Sequence, residues 1–210
     1  FGKTGKVSSL VMISVEETGA GFETALHKAF IQINDLAGEA GSGLINIRAG
    51  QWQIGLPFLS PSEGAISNQY LAETVLGIFA LDQKAIEVNG FVEGDAESFA
   101  PSQRYSAGVS REDMFGDDKL SGLYAHYAVT FKDVYSLGGI WRSGKDKNGA
   151  TDSSYNKYGV AAQVEAGNVI ITGGYFLSDS NSGVTYKDSL IEALYKPGKA
   201  VWLGGRYESV

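Results

Sequence analysis

The chain contains no cysteine and only two histidines, His27 and His126. Without cysteine it cannot form disulfides, thiolate nucleophiles, cysteine-ligated zinc sites, iron–sulfur clusters or covalent attachments to c-type haem. Two histidines are too few for a typical multi-histidine metal site, and no Gly-x-Ser-x-Gly nucleophile elbow accompanies them. We therefore predict that the protein is not an enzyme and has no metal and no cofactor of its own.

Basic residues are also scarce, because 17 Lys and Arg against 24 Asp and Glu give a formal net charge of −7. Proteins that bind nucleic acid usually present a basic face, so we predict no nucleic-acid partner. Long apolar runs are missing as well, since no stretch approaches the roughly 18 residues of a membrane-spanning helix. A β-strand, however, crosses a bilayer with about 9–11 residues and exposes every second one to lipid. The informative property is therefore the alternation of side chains and not the mean hydropathy.

Alternation is clearest in the C-terminal half of the chain. From residue 123 to residue 132, apolar side chains alternate with polar or small ones, which predicts a strand with one apolar face. The complete set of predicted strands is 7–16, 25–34, 44–54, 86–94, 104–110, 123–132, 135–142, 158–165, 169–177, 185–195 and 199–209. Glycine, with 28 residues in the chain, recurs inside these strands and indicates bends or close packing in a curved sheet.

The connections and the aromatic residues favour a membrane barrel over a soluble one. Short turns near residues 132, 167 and 197 alternate with longer polar loops over 143–156 and 178–183, as the periplasmic turns and outer loops of outer-membrane barrels do. Lipid-facing aromatics prefer the two membrane interfaces, and here they fall at both strand ends. These residues are Phe131, Tyr135 and Tyr195 at the turn end, and Trp141, Tyr158, Tyr175 and Tyr207 at the other end.

The predicted fold is therefore all-β: an antiparallel transmembrane β-barrel of the bacterial outer membrane, with short periplasmic turns, longer outer loops and residues 1–210 in one domain. A soluble β-sandwich or barrel remains the alternative. Eleven predicted strands are an odd number, whereas single-chain bacterial barrels close with even numbers. We therefore expect either a misassigned strand or a chain that is part of a longer barrel.

The segment 55–85 interrupts the pattern of strands. Pro57 and Pro61 exclude a central strand, and apolar residues near its middle have helical spacing. One hypothesis places this segment inside the barrel mouth as a constriction or plug, packed through Leu59, Tyr70 and Leu76. An outer loop packed on its own apolar residues is the equal alternative.

Charged residues of both signs occupy the positions opposite the apolar face, where they suit a water-filled lumen. The predicted lumen-lining residues are Lys28, Arg48, Glu87, Arg104, His126, Lys132, Arg142, Glu165, Glu192, Arg206 and Glu208. Such a wall would tune the passage of ions only weakly, because the two signs nearly balance. The alternative is that neighbouring Arg and Glu residues cross-link the wall as ion pairs.

Two stretches resemble outer-membrane porin-like barrels: ALHKAFIQINDLAGEAGSGLINIRAGQWQIGLPFLSP, from Ala25 to Pro61, and the ending ALYKPGKAVWLGGRYESV. The similarity is greatest to the large barrels that bacteria pair with multihaem c-type cytochromes. This resemblance implies a barrel that binds no haem itself and acts as an insulating sheath around the cytochrome. The absence of cysteine is compatible with such a sheath and equally with an ordinary porin.

Three functions remain open at this point. The leading one is a porin-like channel for passive diffusion of small hydrophilic solutes or ions. The second is a barrel sheath that holds a multihaem c-type cytochrome for transmembrane electron transfer, and the third is a soluble β binding module. The expected partners are outer-membrane lipid and, for a barrel, a multihaem cytochrome or identical subunits.

Overall fold

A computed structural model describes residues 6–18, 21–53, 82–95, 100–111, 120–148, 151–181, 183, 185–198 and 203–209. Within these ranges the chain forms eleven β-strands, which match the eleven predicted ones in number and order. They are β1 (Val7–Thr18), β2 (Gly21–Ala37), β3 (Ile45–Gln53), β4 (Asp82–Val92), β5 (Ser102–Arg111), β6 (Leu120–Phe131), β7 (Tyr135–Asn148), β8 (Thr151–Ala166), β9 (Val169–Ser180), β10 (Thr185–Tyr195) and β11 (Leu203–Ser209).

The strands form one sheet in sequence order, with β1 and β11 at its two edges. Every neighbouring pair is antiparallel, from β1–β2 through to β10–β11. Consecutive strands can pair in this way because antiparallel neighbours need only a tight turn or a short loop between them. The all-β antiparallel fold class is confirmed.

The two faces of the sheet differ strongly in exposure. In β6, Tyr124 is 1% exposed, whereas Tyr127 on the opposite face is 49% exposed. No second sheet and no helix covers the buried face in the part of the chain that the structure describes. The side chains of that face must therefore cover one another, which requires the sheet to curve with this face on its concave side.

Glycines inside the strands make room for aromatic rings that lie along the concave face. The Tyr124 ring lies over Gly108 of the adjacent β5, where an added Cβ would be 2.7 Å from the Tyr124 hydroxyl oxygen. The Phe176 ring covers Gly159 of β8 in the same way, at 2.5 Å from an added Cβ. These contacts are the close packing that glycine within strands predicts in a curved sheet.

The β7–β8 hairpin extends further than the sequence predicts. A polar loop was expected over 143–156, but strand pairing continues through Gly144–Tyr155 to Asn148–Thr151. Backbone pairing holds this polar ribbon together without an apolar face, and a strand without an apolar face leaves no alternation in the sequence. The β9–β10 connection is shorter than predicted for the same reason, since β9 continues to Ser180 and β10 begins at Thr185.

The turn between β6 and β7 corrects one lumen-lining residue. Lys132 and Asp133 have φ values of 51° and 55°, and Val134 N donates to Phe131 O at 3.0 Å. Positive φ at both central residues is typical of a type I′ turn, whose twist matches that of the flanking strands. Because β6 ends at Phe131, Lys132 is an exposed turn residue and does not occupy the lumen-facing strand position predicted for it.

Candidate functional site

The convex face of the sheet is a continuous apolar surface. Leu137 is 57% exposed, and Val160, Ile171, Ile191 and Leu203 are exposed to a similar degree. Strand pairing makes the surface continuous, because it places Leu137 opposite Ala162 and Ile171 opposite Val164. Soluble monomers rarely expose apolar patches larger than a few hundred Å², so this face is suited to contact with an apolar medium.

Aromatic residues mark two rows on the same convex face. Phe131 pairs with Tyr135 at the turn end, and Trp141 pairs with Tyr158 further along the same strands. The two rows are about 20 Å apart along β7 at roughly 3.3 Å per residue. Tyr127 lies between them, and its hydroxyl donates to Gln103 Oε1 at 2.7 Å, so its polar end is satisfied. An apolar band between two aromatic rows is typical of outer-membrane barrels.

The concave face carries a buried polar cluster around Glu87, which is only 2% exposed. Arg48 Nη2 donates to Glu87 Oε1 at 2.7 Å, and Asn89 Nδ2 donates to the same oxygen at 2.9 Å. Tyr124 reaches over β5 to donate its hydroxyl to Glu87 Oε2 at 2.8 Å. A buried carboxylate is costly unless it is paired and hydrogen-bonded, and both conditions are met here.

The Arg48 side chain is fixed by aromatic rings as well as by its ion pair. Its guanidinium carbon lies 4.3 Å from the centroid of Trp52 and 5.1 Å from that of Phe30. The two rings contact each other edge to face, with centroids 6.1 Å apart. Cation–π contacts of this kind stabilise a desolvated cation. Arg48 and Glu87 therefore cross-link β3 and β4 as an ion pair, as the alternative raised by the sequence predicts for neighbouring Arg and Glu residues.

His126 also lies on the concave face, where its Nδ1 is 3.0 Å from the hydroxyl oxygen of Ser106. The two residues are direct cross-strand partners in β5 and β6. Among the described residues, no group of three or more His, Cys, Asp or Glu side chains could hold a metal ion. The contact is that of a cross-strand polar pair within the wall.

The remaining predicted lumen residues differ in how much of them the structure describes. Buried or half-buried on the concave face, in addition to those above, are Arg142, Glu192 and Arg206. Arg104 and Glu165 occupy concave-face positions but are exposed. Lys28 and Glu208 lie in β2 and β11, but their side chains are outside the described residues.

The constriction hypothesis falls mostly on residues that the structure does not describe. Leu59, Tyr70 and Leu76 all lie within 54–81, outside the described ranges. The last four residues of the predicted segment, 82–85, belong instead to β4, which begins at Asp82. The constriction therefore stays a prediction.

The concave face also carries a row of uncharged polar residues that the sequence pattern does not predict. The successive cross-strand partners from β5 to β9 are Ser102, Thr130, Ser136, Gln163 and Thr172. We call them the hydroxyl row, in which Gln163 is the one amide. The Thr130 and Ser136 hydroxyl oxygens lie 2.9 Å apart, and Gln163 Nε2 donates to Thr172 Oγ1 at 3.1 Å. Within its own strand, each of these residues occupies a concave-face position. Their alignment across five strands follows only from the register between the strands.

Within the described ranges, no helix is long and apolar enough to span a bilayer. No protein-family model and no curated protein matches the sequence.

Two solved structures are similar to the chain. One is a loop-deletion mutant of OmpT, an outer membrane protein of Vibrio cholerae, with 14% identity and a TM-score of 0.40 over 88% of this chain. The other is in-vitro folded OmpT from Vibrio cholerae in its trimer form, with 13% identity and a TM-score of 0.43 over 88% of this chain. The chain covers 57% and 54% of their lengths, so it spans little more than half of either protein.

Proposed function

We propose that the chain forms wall strands of a bacterial outer-membrane β-barrel that acts as a channel for passive diffusion of small hydrophilic solutes or ions. The single observation that carries this proposal is the division of one curved sheet into an exposed apolar convex face and a concave face on which charged and polar side chains lie among apolar ones. A soluble barrel of the same curvature would instead expose polar side chains on its convex face.

The convex face supports the membrane half of the proposal. Transfer of apolar surface out of water is favourable by about 25 cal/mol per Å², so a convex face of exposed Leu, Ile and Val gains stability in lipid. The aromatic rows at Phe131–Tyr135 and Trp141–Tyr158 are placed to lie at the two interfaces.

The concave face supports the channel half. Charges of both signs and the hydroxyl row would be costly against a dry core, but they are readily solvated in a water-filled lumen. The paired Arg48 and Glu87 stabilise the wall, whereas the exposed Arg104 and Glu165 are accessible to solutes. We therefore expect the selectivity of the wall to depend more on Arg104 and Glu165 than on the Arg48–Glu87 pair.

Purification in detergent and reconstitution into planar bilayers tests the channel against both alternatives. A channel gives stepwise single-channel conductance and a preparation without haem absorbance. A cytochrome sheath instead copurifies with c-type haem absorbance and conducts poorly, because the cytochrome fills the lumen. A soluble binding module stays in solution without detergent. Either of the last two results would overturn the proposal.

A further inference from the structure

A cavity of about 250 Å³ lies on the concave face at the turn end of the β6–β7 hairpin. Its polar lining consists of Ser102, Arg104, Thr130, Asp133, Ser136 and Gln163. Its volume is below the roughly 300–1,000 Å³ of sites for drug-sized ligands, so a ligand that fills it would be a single small molecule.

Sheet register explains why these groups converge. Ser102, Thr130, Ser136 and Gln163 are consecutive members of the hydroxyl row in β5, β6, β7 and β8. The type I′ turn places Asp133 at the end of the same hairpin. The space stays open because the next residue of β6 on the concave face is the small Ala128, which is paired with Gly138.

The lining groups can still donate and accept hydrogen bonds. Ser102 Oγ accepts from Gly94 N at 3.0 Å, so its own O–H can still donate. Gln163 uses one N–H toward Thr172, so its carbonyl oxygen can accept and its second N–H can donate. Asp133 adds carboxylate acceptors, and Arg104 adds guanidinium donors.

The chemistry of the lining selects among small solutes. Arg104 and Asp133 carry opposite charges, so the cavity has no net charge that would favour an ion. Its lining offers both donors and acceptors, and the hydroxyls of a polyol can use both. Phe91 and Ala128 provide apolar surface for C–H groups, and the Phe91 ring is itself held 5.5 Å from the Arg104 guanidinium carbon.

We propose that this cavity is a binding subsite for one neutral, polyhydroxylated solute of monosaccharide size. The proposal rests on the proposed channel function in one respect, because the solute reaches the subsite from the water-filled lumen. A small zwitterion, with its carboxylate on Arg104 and its ammonium group on Asp133, is the competing ligand that the test must separate.

Equilibrium binding to the full chain in lipid nanodiscs tests the subsite, with D-glucose and L-alanine as probes and saturation-transfer NMR as the readout. We expect saturable glucose binding that Ser136→Ala and Gln163→Leu each weaken roughly threefold to tenfold, the effect of one lost hydrogen bond. The matched control is Ser178→Ala, which removes a hydroxyl from the same face in β9 outside the cavity and should leave binding unchanged.

Several outcomes would overturn the subsite. The first is an absence of saturable glucose binding, and the second is a loss of glucose affinity in Ser178→Ala equal to that in Ser136→Ala. The third is saturable alanine binding that Asp133→Asn abolishes while glucose does not bind. The heat-dependent gel mobility of folded barrels verifies that each variant is folded, and Ser136→Ala keeps the test decisive if Gln163→Leu does not fold. Planar-bilayer conductance is scored separately. Glucose binding without conductance supports the subsite and overturns the channel, and conductance without glucose binding overturns the subsite alone.

Discussion

Placing an arginine at Leu137 tests whether the convex face contacts lipid. Leu137 is 57% exposed and lies between the aromatic residues Tyr135 and Trp141 of β7, within the apolar band. A lipid-facing arginine near the bilayer midplane costs roughly 2–4 kcal/mol of folding free energy, and the cost falls toward the interfaces. If the same face contacted water, the change would remain within about 0.5 kcal/mol, as is usual for surface substitutions. The two environments therefore predict clearly different values.

Urea-induced unfolding from lipid vesicles measures this free energy directly. The matched control is Gln163→Arg, which places the same charge on the concave face of the adjacent β8 at a half-buried position. Because Gln163→Arg also removes the hydrogen bond to Thr172, worth about 1 kcal/mol, we expect Leu137→Arg to lose about 1–3 kcal/mol more than Gln163→Arg. Equal losses in the two variants, or a Leu137→Arg variant as stable as the wild type, would refute a lipid-facing convex surface.

Three further predictions concern packing and the turn, and the same unfolding measurement tests them. Tyr124→Phe removes a donor from the buried Glu87 and should cost about 1–3 kcal/mol, and a loss below about 0.5 kcal/mol would contradict the hydrogen bond. Gly108→Ala should cost about 1–3 kcal/mol because its Cβ would lie 2.5 Å from a backbone oxygen. Its control, Gly139→Ala, should be nearly neutral because the nearest atom would be 3.5 Å away. Equal losses of stability in the two variants would contradict the packing around Gly108. Lys132→Asn should stabilise the hairpin by up to about 1 kcal/mol, since asparagine tolerates positive φ better than lysine, and a loss of stability would contradict a type I′ turn.

Side-chain periodicity was sufficient to predict the number and order of the strands and, in β6, which residues lie on each face. Alternation predicts that Tyr127 and Phe131 lie on the apolar face of their strand, and the structure exposes both. Alternation carries this information because successive residues of a regular strand point to opposite faces, so one correct phase places the residues of that strand up to any bulge.

Periodicity could not predict where polar strands end or which side chains meet. The β7–β8 ribbon beyond residue 142 has no apolar face, so the hydropathy pattern does not predict its pairing. The contact of Tyr124 with Glu87 depends on the register of three strands and on the space above Gly108. Register is a property of pairs of strands, and a single strand's sequence does not specify it.

Site-specific thiol labelling in lipid vesicles tests the central claim most directly, and the absence of native cysteine makes single-cysteine variants unambiguous. Arg104→Cys and Gln163→Cys report on the concave face, and Leu137→Cys and Val160→Cys report on the convex face. We predict that a membrane-impermeant maleimide labels the first two rapidly and leaves the last two protected until detergent is added. Rapid labelling of Leu137→Cys and Val160→Cys in intact vesicles, at the rate of the concave pair, would contradict a wall with one face in lipid and the other in water.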